Sequence, residues 1–229
     1  ARESHTVLYT WAGPEIAVAT TKAYSTQLAV VSQLGIYMAD QRGTITPEYY
    51  AALVAELERL PDKAARVLEE QSEIQHFASR FFNHNSIFFI GRNLDYATGM
   101  EGSLKLKEIS YIHSEAYASG ELKHGTISLI EPGTLVIALG TYAPLFDKAM
   151  SNVVEVKSRG ASVLALTTES GKAQMASRVD ALMTIPDAED PFLPSLAIIP
   201  LQLFAYYVAL QRGCDIDKPR NLAKSVTVE

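Results

Sequence analysis

Short unbroken apolar runs that alternate with helical stretches are the feature that most restricts the fold of this chain. Runs without polar alternation are typical of parallel strands that are buried on both faces. The sequence predicts strands over 86–91, 134–140, 162–167 and 181–186. It predicts helices between and after them, over 94–112, 144–158, 172–178 and 193–212. We therefore expect an α/β fold, a doubly wound parallel sheet flanked by helices on both faces.

Upstream of this sheet, the sequence predicts one more short strand and three helices. The strand spans Val7–Trp11, and the helices span 21–42, 47–59 and 61–82. Thr46 and Pro47 favour a helix start as the capping residue and the first helical residue. We expect a second start at Pro61 for the same reason.

Two helix ends in the chain are similar to each other. Residues 36–43 are IYMADQRG and residues 206–213 are YYVALQRG, with matches at an offset of 170 residues. If this is an internal repeat rather than chance, the unit that begins near Ser86 has a counterpart starting roughly 84 residues before Ala1. We therefore expect residues 1–43 to be the C-terminal remnant of a first lobe and residues 44–216 to be a complete second lobe. The start at Ala1 rather than Met also indicates a fragment.

Composition and charge give no support to several classes of protein. A net charge of −6 does not favour nonspecific binding to nucleic acid or membranes. Cys214 is the single cysteine, which excludes an intrachain disulfide and fits a reducing cytoplasm. Prolines and a glutamine interrupt the longest apolar segment, 193–210, so we expect no segment that spans a bilayer. The spacing of His, Cys and acidic residues does not indicate a metal site.

A stripe of charged residues runs along the predicted helix 94–112. Steps of four and three residues place Glu101, Lys105 and Glu108 on one helix face. The stripe could be a solvent-exposed face with weak salt bridges, or it could be catalytic. Gly91 favours the second interpretation, because it places the helix start at the carboxyl end of a strand, where open parallel sheets bind ligands.

The segment after this helix is polar and rich in titratable groups. It is HSEAYASGELKHG over 113–125, and it predicts a loop that carries Glu115, Glu121, Lys123 and His124. A carboxylate near lysines can remove a proton from a carbon next to a carbonyl, and a histidine can move protons to and from sugar oxygens. These residues favour an enzyme that opens a sugar ring and interconverts aldose and ketose, although a structural role for His124 stays open.

The chain ends in DKPRNLAKSVTVE, over 217–229. A terminus is commonly a solvated tail, but Leu222, Val226 and Val228 are apolar and could pack. In a covered pocket, Lys224 could lose its proton and attack a carbonyl as an amine. We therefore expect residues 217–229 to contribute to an active site.

The turns after the first two long strands are poor candidates for holding a sugar phosphate. Residues 91–93 are GRN, a weak candidate, and residues 140–144 are GTYAP. The second turn lacks the serine-rich sequence that offers hydroxyl and amide groups to a phosphate at a helix start. We therefore expect a phosphate to be held by the first lobe, upstream of Ala1.

Four long motifs resemble one family of enzymes. They are AGPEIAVATTKAYSTQL (12–28), MEGSLKLKEISYIHSEAY (100–117), GELKHG (120–125) and the C-terminal DKPRNLAKSVTVE. They are similar to segments of the glutamine–fructose-6-phosphate aminotransferases (glucosamine-6-phosphate synthases), and the resemblance extends over essentially all 229 residues. It implies that the internal repeat is the pair of tandem sugar-isomerase (SIS) lobes of that family. One departure is Thr126, where many relatives have proline.

The resemblance implies conversion of fructose 6-phosphate and ammonia into glucosamine 6-phosphate by ring opening, a Schiff base and proton transfer between C1 and C2. It implies that Glu108 is the base, that Lys224 forms the Schiff base, and that the two lie close together. His124 would assist ring opening from the neighbouring subunit of a dimer. Lys105 would lie near the base and the substrate hydroxyls.

The resemblance also implies substrate contacts and partners. Val18 and Ala223 would contact the sugar through their backbones, and Glu15 lies in the same loop as Val18. No cofactor is implied. An N-terminal glutaminase domain would supply ammonia in a cytoplasmic homodimer, and we expect this chain alone to have little or no activity.

Two other interpretations stay open. A phosphosugar isomerase or sugar deglycase would keep Glu108 but need no ammonia and no partner domain. A non-catalytic sugar-phosphate sensor would not need Glu108, His124 and Lys224 together.

Overall fold

The apolar runs form the strands of a parallel sheet in the computed structural model, which describes residues 1–224. The strands are β1 (Ser86–Gly91), β2 (His113–Ala118), β3 (Leu135–Gly140), β4 (Ser162–Thr168) and β5 (Ala181–Ile185). The helices are α1 (Lys22–Gln41), α2 (Pro47–Glu69), α3 (Gln71–Phe81), α4 (Leu94–Ser110), α5 (Phe146–Lys157), α6 (Lys172–Ala176) and α7 (Leu193–Gln211). The strand order is β2-β1-β3-β4-β5, and every neighbouring pair is parallel. This confirms the expected α/β fold.

Alternate residues of each buried strand pack into two apolar cores, one on each face of the sheet. In β1, Ile87 and Phe89 pack with α3, α4 and α7. Phe88 and Ile90 point the other way and pack with α5 and with Met175 of α6. Side chains that alternate across a strand explain why an unbroken apolar run is needed when helices cover both faces.

β2 corrects the sequence prediction, which made residues 113–125 a loop. Residues 113–118 instead pair with β1 in parallel, from Ser86 opposite His113 to Gly91 opposite Ala118. β2 is the edge strand of the sheet, so most of its side chains are not fully buried and need not be apolar. Ser114 is the buried exception, and its hydroxyl donates to the carbonyl of Ser103 at 2.9 Å. The GELKHG segment that follows forms a short 3-10 helix, Ser119–His124.

Two predictions upstream of the sheet are wrong. Val7–Trp11 is not a strand, and with no sheet edge paired to it among the described residues, Trp11 is 90% exposed. α2 runs through Pro61 rather than ending before it. Proline removes one intrahelical hydrogen bond and its ring crowds the preceding turn, but Leu60 before it and Ala64 and Val67 after it pack against the same apolar core, which holds the helix together. The expected cap at Thr46 is present, since its side chain accepts the N–H of Tyr49 at 3.2 Å.

The two helix ends that are similar in sequence have the same hydrogen bonds. At the end of α1, the N–H of Gly43 donates to the carbonyl of Asp40 and the N–H of Thr44 donates to Ala39. At the end of α7, Gly213 donates to Leu210 and Cys214 donates to Ala209, in the same order. Both glycines have positive φ, +62° and +67°, which the left-handed helix end requires. Many helices end in this way, so the internal repeat stays a prediction.

α7 is the central helix of the larger core and corrects one expectation. The segment Asp190–Gln211 is long and apolar enough by length and composition to cross a membrane, although the interrupted sequence predicted otherwise. Within the described residues, 56% of its most apolar window is buried against the rest of the fold. Its apolar character is therefore explained by its place in the core, between α3 and α4.

Candidate active site

The charged stripe of α4 lies in the protein interior. The side chain of Lys105 is 4% exposed, and those of Glu101 and Glu108 are 15% and 22% exposed. The ammonium nitrogen of Lys105 lies 3.3 Å from Oε1 of Glu101 and 2.6 Å from Oε2 of Glu108. The alternative of a solvent-exposed salt-bridge face is therefore wrong. One buried cation is shared between two carboxylates, which leaves the group with a formal charge of −1.

The carboxylate of Glu108 keeps acceptor capacity. Its Oε2 atom is buried and, among the described residues, accepts no hydrogen bond of good geometry. The 2.6 Å approach of Lys105 is therefore a charge contact rather than a well-directed hydrogen bond. A buried carboxylate oxygen with a free lone pair, beside a cation, is suited to accept a proton from a bound molecule.

Glu108 lies near the amino edge of the sheet, not near the carboxyl edge. α4 begins beside the carboxyl end of β1, but it must return to the other edge before β2 can pair with β1 in parallel. Fourteen residues separate Leu94 from Glu108, or about 21 Å along a helix. The position of Gly91 therefore gave no valid support for a catalytic Glu108, and the burial of the stripe is the better argument.

The C-terminal tail docks on the loop before α1. The ammonium of Lys224 donates to Oε2 of Glu15 and to the carbonyl of Ala17, both at 2.8 Å. The N–H of Val18 donates to the carbonyl of Asp217 at 2.9 Å. These bonds bring together two segments that are about 200 residues apart in sequence. Ala223 is exposed beside Lys224, and Val226 and Val228 lie outside the described residues.

The surroundings of Glu15 favour its ionised carboxylate. Burial raises the pKa of its carboxyl, but hydrogen bonds from Lys224 and from the N–H of Thr21 outweigh this effect, so the pKa lies below its ordinary value. The Thr21 bond is 3.0 Å long and is made to Oε1. Since Thr21 precedes the first residue of α1, Glu15 lies at the positive end of the helix dipole.

Tyr24, in the first turn of α1, lies near the stripe of α4. Burial raises the pKa of the Tyr24 phenol, and the nearby negative charge of Glu101 raises it further. The tail makes a second connection, because the N–H of Arg220 donates to the Tyr111 hydroxyl at 2.8 Å, directly after α4. The start of α1 thus approaches the stripe at Glu101, and the tail approaches the end of α4 at Tyr111. A direct approach of Lys224 to Glu108 stays a prediction.

His124 lies apart from this group. It is exposed at the end of the 3-10 helix that follows the carboxyl end of β2, whereas Glu108 lies near the amino edge. The structure therefore does not place His124 and Glu108 of one chain in a common site. Arg92 lies under this helix: its guanidinium would contact a side chain placed at Gly120, and it donates twice to Oδ1 of Asn152, at 2.9 and 3.1 Å.

Asp95 follows β1 and binds the backbone directly after β3, and the sequence did not indicate this role. Its carboxylate accepts the N–H groups of Thr141 at 3.0 Å and Tyr142 at 3.2 Å, and also the Thr141 hydroxyl. Burial raises the pKa of Asp95, and these hydrogen bonds only partly offset the rise. With this strand order, ligands commonly bind where β1 and β3 diverge. Here the protein's own carboxylate uses the amides that a phosphate would need, which agrees with an expected phosphate site elsewhere.

The strand order β2-β1-β3-β4-β5, with helices on both faces, defines a doubly wound α/β protein of the flavodoxin-like order. A family model described as "SIS domain" matches residues 80–212. The chain belongs to the SIS domain family.

Similar proteins narrow this family to one branch. A glutamine–fructose-6-phosphate aminotransferase [isomerizing] of Clostridium acetobutylicum is 54% identical over all 229 residues, and a Thermus thermophilus protein of the same name is 43% identical over 228. The C-terminal domain of the Francisella tularensis glucosamine-fructose-6-phosphate aminotransferase has a TM-score of 0.91 and 36% identity, over 95% of this chain and 62% of that one. These matches confirm the resemblance seen in the sequence. The chain spans 38% of the length of both curated relatives.

Proposed function

We propose that the full-length protein makes glucosamine 6-phosphate from fructose 6-phosphate and ammonia, and that this chain supplies the side chains that isomerise the sugar. One observation carries the proposal. An amine near the end of the chain binds the loop just before α1, and the first turn of α1 lies near the buried charged stripe of α4, although Glu108 and Lys224 are far apart in sequence. The curated relatives named above support the choice of reaction.

The proposed mechanism gives three residues of this chain a chemical role. The amine of Lys224 condenses with the C2 carbonyl of the open-chain ketose and releases water. Ammonia then replaces the lysine at C2. Glu108 removes a proton from C1 and returns it at C2, which leaves an aldehyde at C1 and an amine at C2. Lys105 lies 2.6 Å from the Glu108 carboxylate and would stabilise negative charge that develops on neighbouring sugar oxygens.

The structure shows Lys224 engaged with Glu15 and Ala17, so the amine must leave these partners before it attacks a carbonyl. We propose that substrate competes for this ammonium. Backbone groups of Val18 and Ala223 would then contact the sugar from the loop and the tail.

We propose that residues 1–43 are the end of a first lobe, that residues 44–216 form the second lobe, and that residues 217–229 are a tail that completes the site. Apolar side chains of α1 face outward, as expected for a surface that another part of the protein covers: Val31, Leu34, Tyr37 and Met38. The first lobe would hold the phosphate, and a glutaminase domain in the remaining length would supply ammonia. The free Cys214 fits a cytoplasmic protein.

His124 supports a dimer in which subunits share sites. It lies at the opposite edge of the sheet from Glu108 of its own chain. A histidine that opens the sugar ring must reach the substrate oxygen, so His124 would act on the substrate of a second subunit.

The reaction can be tested by incubating the full-length protein with fructose 6-phosphate and ammonium and measuring glucosamine 6-phosphate. We expect formation of the amino sugar, and we expect Glu108→Gln to abolish it while sugar-phosphate binding remains, because the amide keeps the shape but not the base. Turnover by the Gln variant would contradict the role of Glu108. Binding without turnover in the unmodified protein would indicate a sensor.

The shared site can be tested by mixing two inactive variants. In a dimer of a Glu108→Gln subunit and a His124→Asn subunit, one site combines an intact Glu108 with the partner's intact histidine. Random mixing would restore up to about a quarter of the original activity, since half of the dimers are hybrids with one good site each. Failure to complement in confirmed hybrids would place the histidine and the base in the same subunit.

A second candidate reaction is amino-sugar deamination. A glucosamine-6-phosphate deaminase of Thermotoga maritima matches 92% of this chain with a TM-score of 0.62 and 27% identity. The same assay distinguishes the two reactions, because a deaminase would release ammonia from glucosamine 6-phosphate faster than it forms the amino sugar at high ammonium.

A further inference from the structure

Tyr111 ends α4 in an unusual backbone conformation. It follows Ser110, the last residue of the helix, and its φ of 62° and ψ of 15° are left-handed. Glycine commonly takes this position because it has no Cβ to clash. A tyrosine that persists here is held by other contacts, and residues held in sparsely populated conformations cluster at functional sites.

The side chain of Tyr111 holds the middle of the C-terminal tail in two ways. Its hydroxyl accepts the backbone N–H of Arg220 at 2.8 Å. The guanidinium of the same Arg220 lies over the ring, 4.1 Å from its centroid, in a cation–π contact. The hydrogen bond requires the hydroxyl group and the cation–π contact requires the aromatic ring, so tyrosine provides both.

This contact ties the tail to the helix that carries Glu108. Along α4, Tyr111 is three residues beyond Glu108, or about 4.5 Å. Along the tail, Lys224 is four residues beyond Arg220, so an extended chain places it at most ~14 Å from that anchor. Tail hydrogen bonds to Val18, Glu15 and Ala17 are made to the loop before α1.

We infer that Tyr111 is a positioning residue, which sets the distance between the Schiff-base lysine and the proton-transfer base. The inference rests on the proposed function. Lys224 can leave Glu15 to reach the sugar while the Arg220 contact keeps the tail within reach of the stripe. Tyr111 touches no reacting atom in this role, and it acts through the tail.

The test uses the full-length protein and two measurements. Fructose 6-phosphate with sodium borohydride traps the Schiff base, and peptide mass spectrometry measures the adduct on Lys224. Hydrogen exchange measures the protection of residues 215–224. In Tyr111→Phe, which loses one hydrogen bond, we expect both the trapping rate and the tail protection to fall about threefold to tenfold. Protection of β3 amides should stay unchanged, which a general structural defect would not allow.

Two further variants separate the contacts. Arg220→Ala removes the cation but keeps the backbone N–H, and because Arg220 is exposed we expect an intact fold with a smaller loss of tail protection. Tyr207→Phe is the matched control, since it removes a phenol hydroxyl that donates to Gln71 at 3.0 Å, between α7 and α3. The control should leave trapping and tail protection within twofold of the unmodified protein.

The outcomes distinguish this inference from the proposed function. If the unmodified protein forms no adduct at Lys224, the proposed function fails. Hydrogen exchange of residues 215–224 then still shows whether Tyr111 anchors the tail. If Tyr111→Phe keeps the tail as protected as in the Tyr207 control, the inference is overturned. If tail protection falls but trapping does not, Tyr111 anchors the tail without positioning the lysine, and the inference is likewise overturned.

Discussion

Gly99 and Gly102 lie one turn apart in α4, and the same substitution to alanine should have opposite effects at the two positions. A methyl group at Gly102 would lie 2.6 Å from Cδ1 and 3.1 Å from Cβ of Leu201 in α7, and 3.3 Å from Phe89. At Gly99 the nearest atoms, of Phe89 and Leu139, are 3.6 and 3.8 Å away, which is ordinary contact.

The magnitudes follow from two terms. Replacing glycine by alanine in a helix interior stabilises by about 1 kcal/mol, and this term is the same at both sites. Overpacking at Gly102 costs about 1–3 kcal/mol, and we expect the upper part of that range because the Cβ of Leu201 cannot rotate away. Gly99→Ala should therefore stabilise by about 1 kcal/mol and Gly102→Ala should destabilise by about 1–2 kcal/mol.

Hydrogen exchange of the buried β3 amides in the full-length protein measures this difference, because these amides exchange only when the lobe opens. A gap of about 2–3 kcal/mol corresponds to roughly 30- to 150-fold in exchange rate. Gly102→Ala should also slow turnover, since a displaced α4 moves Glu108. Equal exchange rates in the two variants would refute the packing argument, because helix propensity cannot separate them.

Two further predictions concern the charged groups. Asp95→Ala should lower the free energy of unfolding by about 3 kcal/mol, because it leaves the N–H groups of Thr141 and Tyr142 without a partner. The amide oxygen of Asp95→Asn can accept from both N–H groups, so this variant should lose less than half as much stability in the same exchange measurement. The pKa of Glu15 lies below its ordinary value of 4.5, so its contribution to tail docking is complete above that pH and is lost as the pH falls through the lowered pKa. Protection of residues 215–224 should therefore decrease on acidification below pH 4.5. A tail that undocks instead as the pH rises towards neutrality, or a Glu15→Gln variant with the same acid transition, would contradict this assignment.

The sequence predicted the buried parts of the fold well because burial on both faces leaves a continuous apolar signal. β3 is the clearest case, since all of its residues are buried. β2 gave no such signal, because an edge strand is held by backbone pairing with β1 and tolerates polar side chains such as Glu115. Backbone pairing of this kind cannot be recognised from side-chain periodicity.

The candidate site was only partly predictable. Spacing alone placed Glu101, Lys105 and Glu108 on one helix face, but it could not decide whether the rest of the fold would bury that face. Tyr111 was missed because its role depends on a contact with a residue more than 100 positions away. A tyrosine at a helix end where glycine is usual offers a weak signal, and only the left-handed backbone makes it visible.

The central position of α7 also determines when the lobe can fold during translation. This helix contacts α2, α3 and α4, yet it is translated after every strand of the sheet. Until Gln211 has left the ribosome, the nascent lobe exposes the apolar face that α7 later covers. The apolar side chains of α7 are also exposed to solvent until the helix packs. We expect chains released before that point to be captured by chaperones or degraded, so a nonsense codon within the last turns of α7 should eliminate the whole lobe rather than trim it.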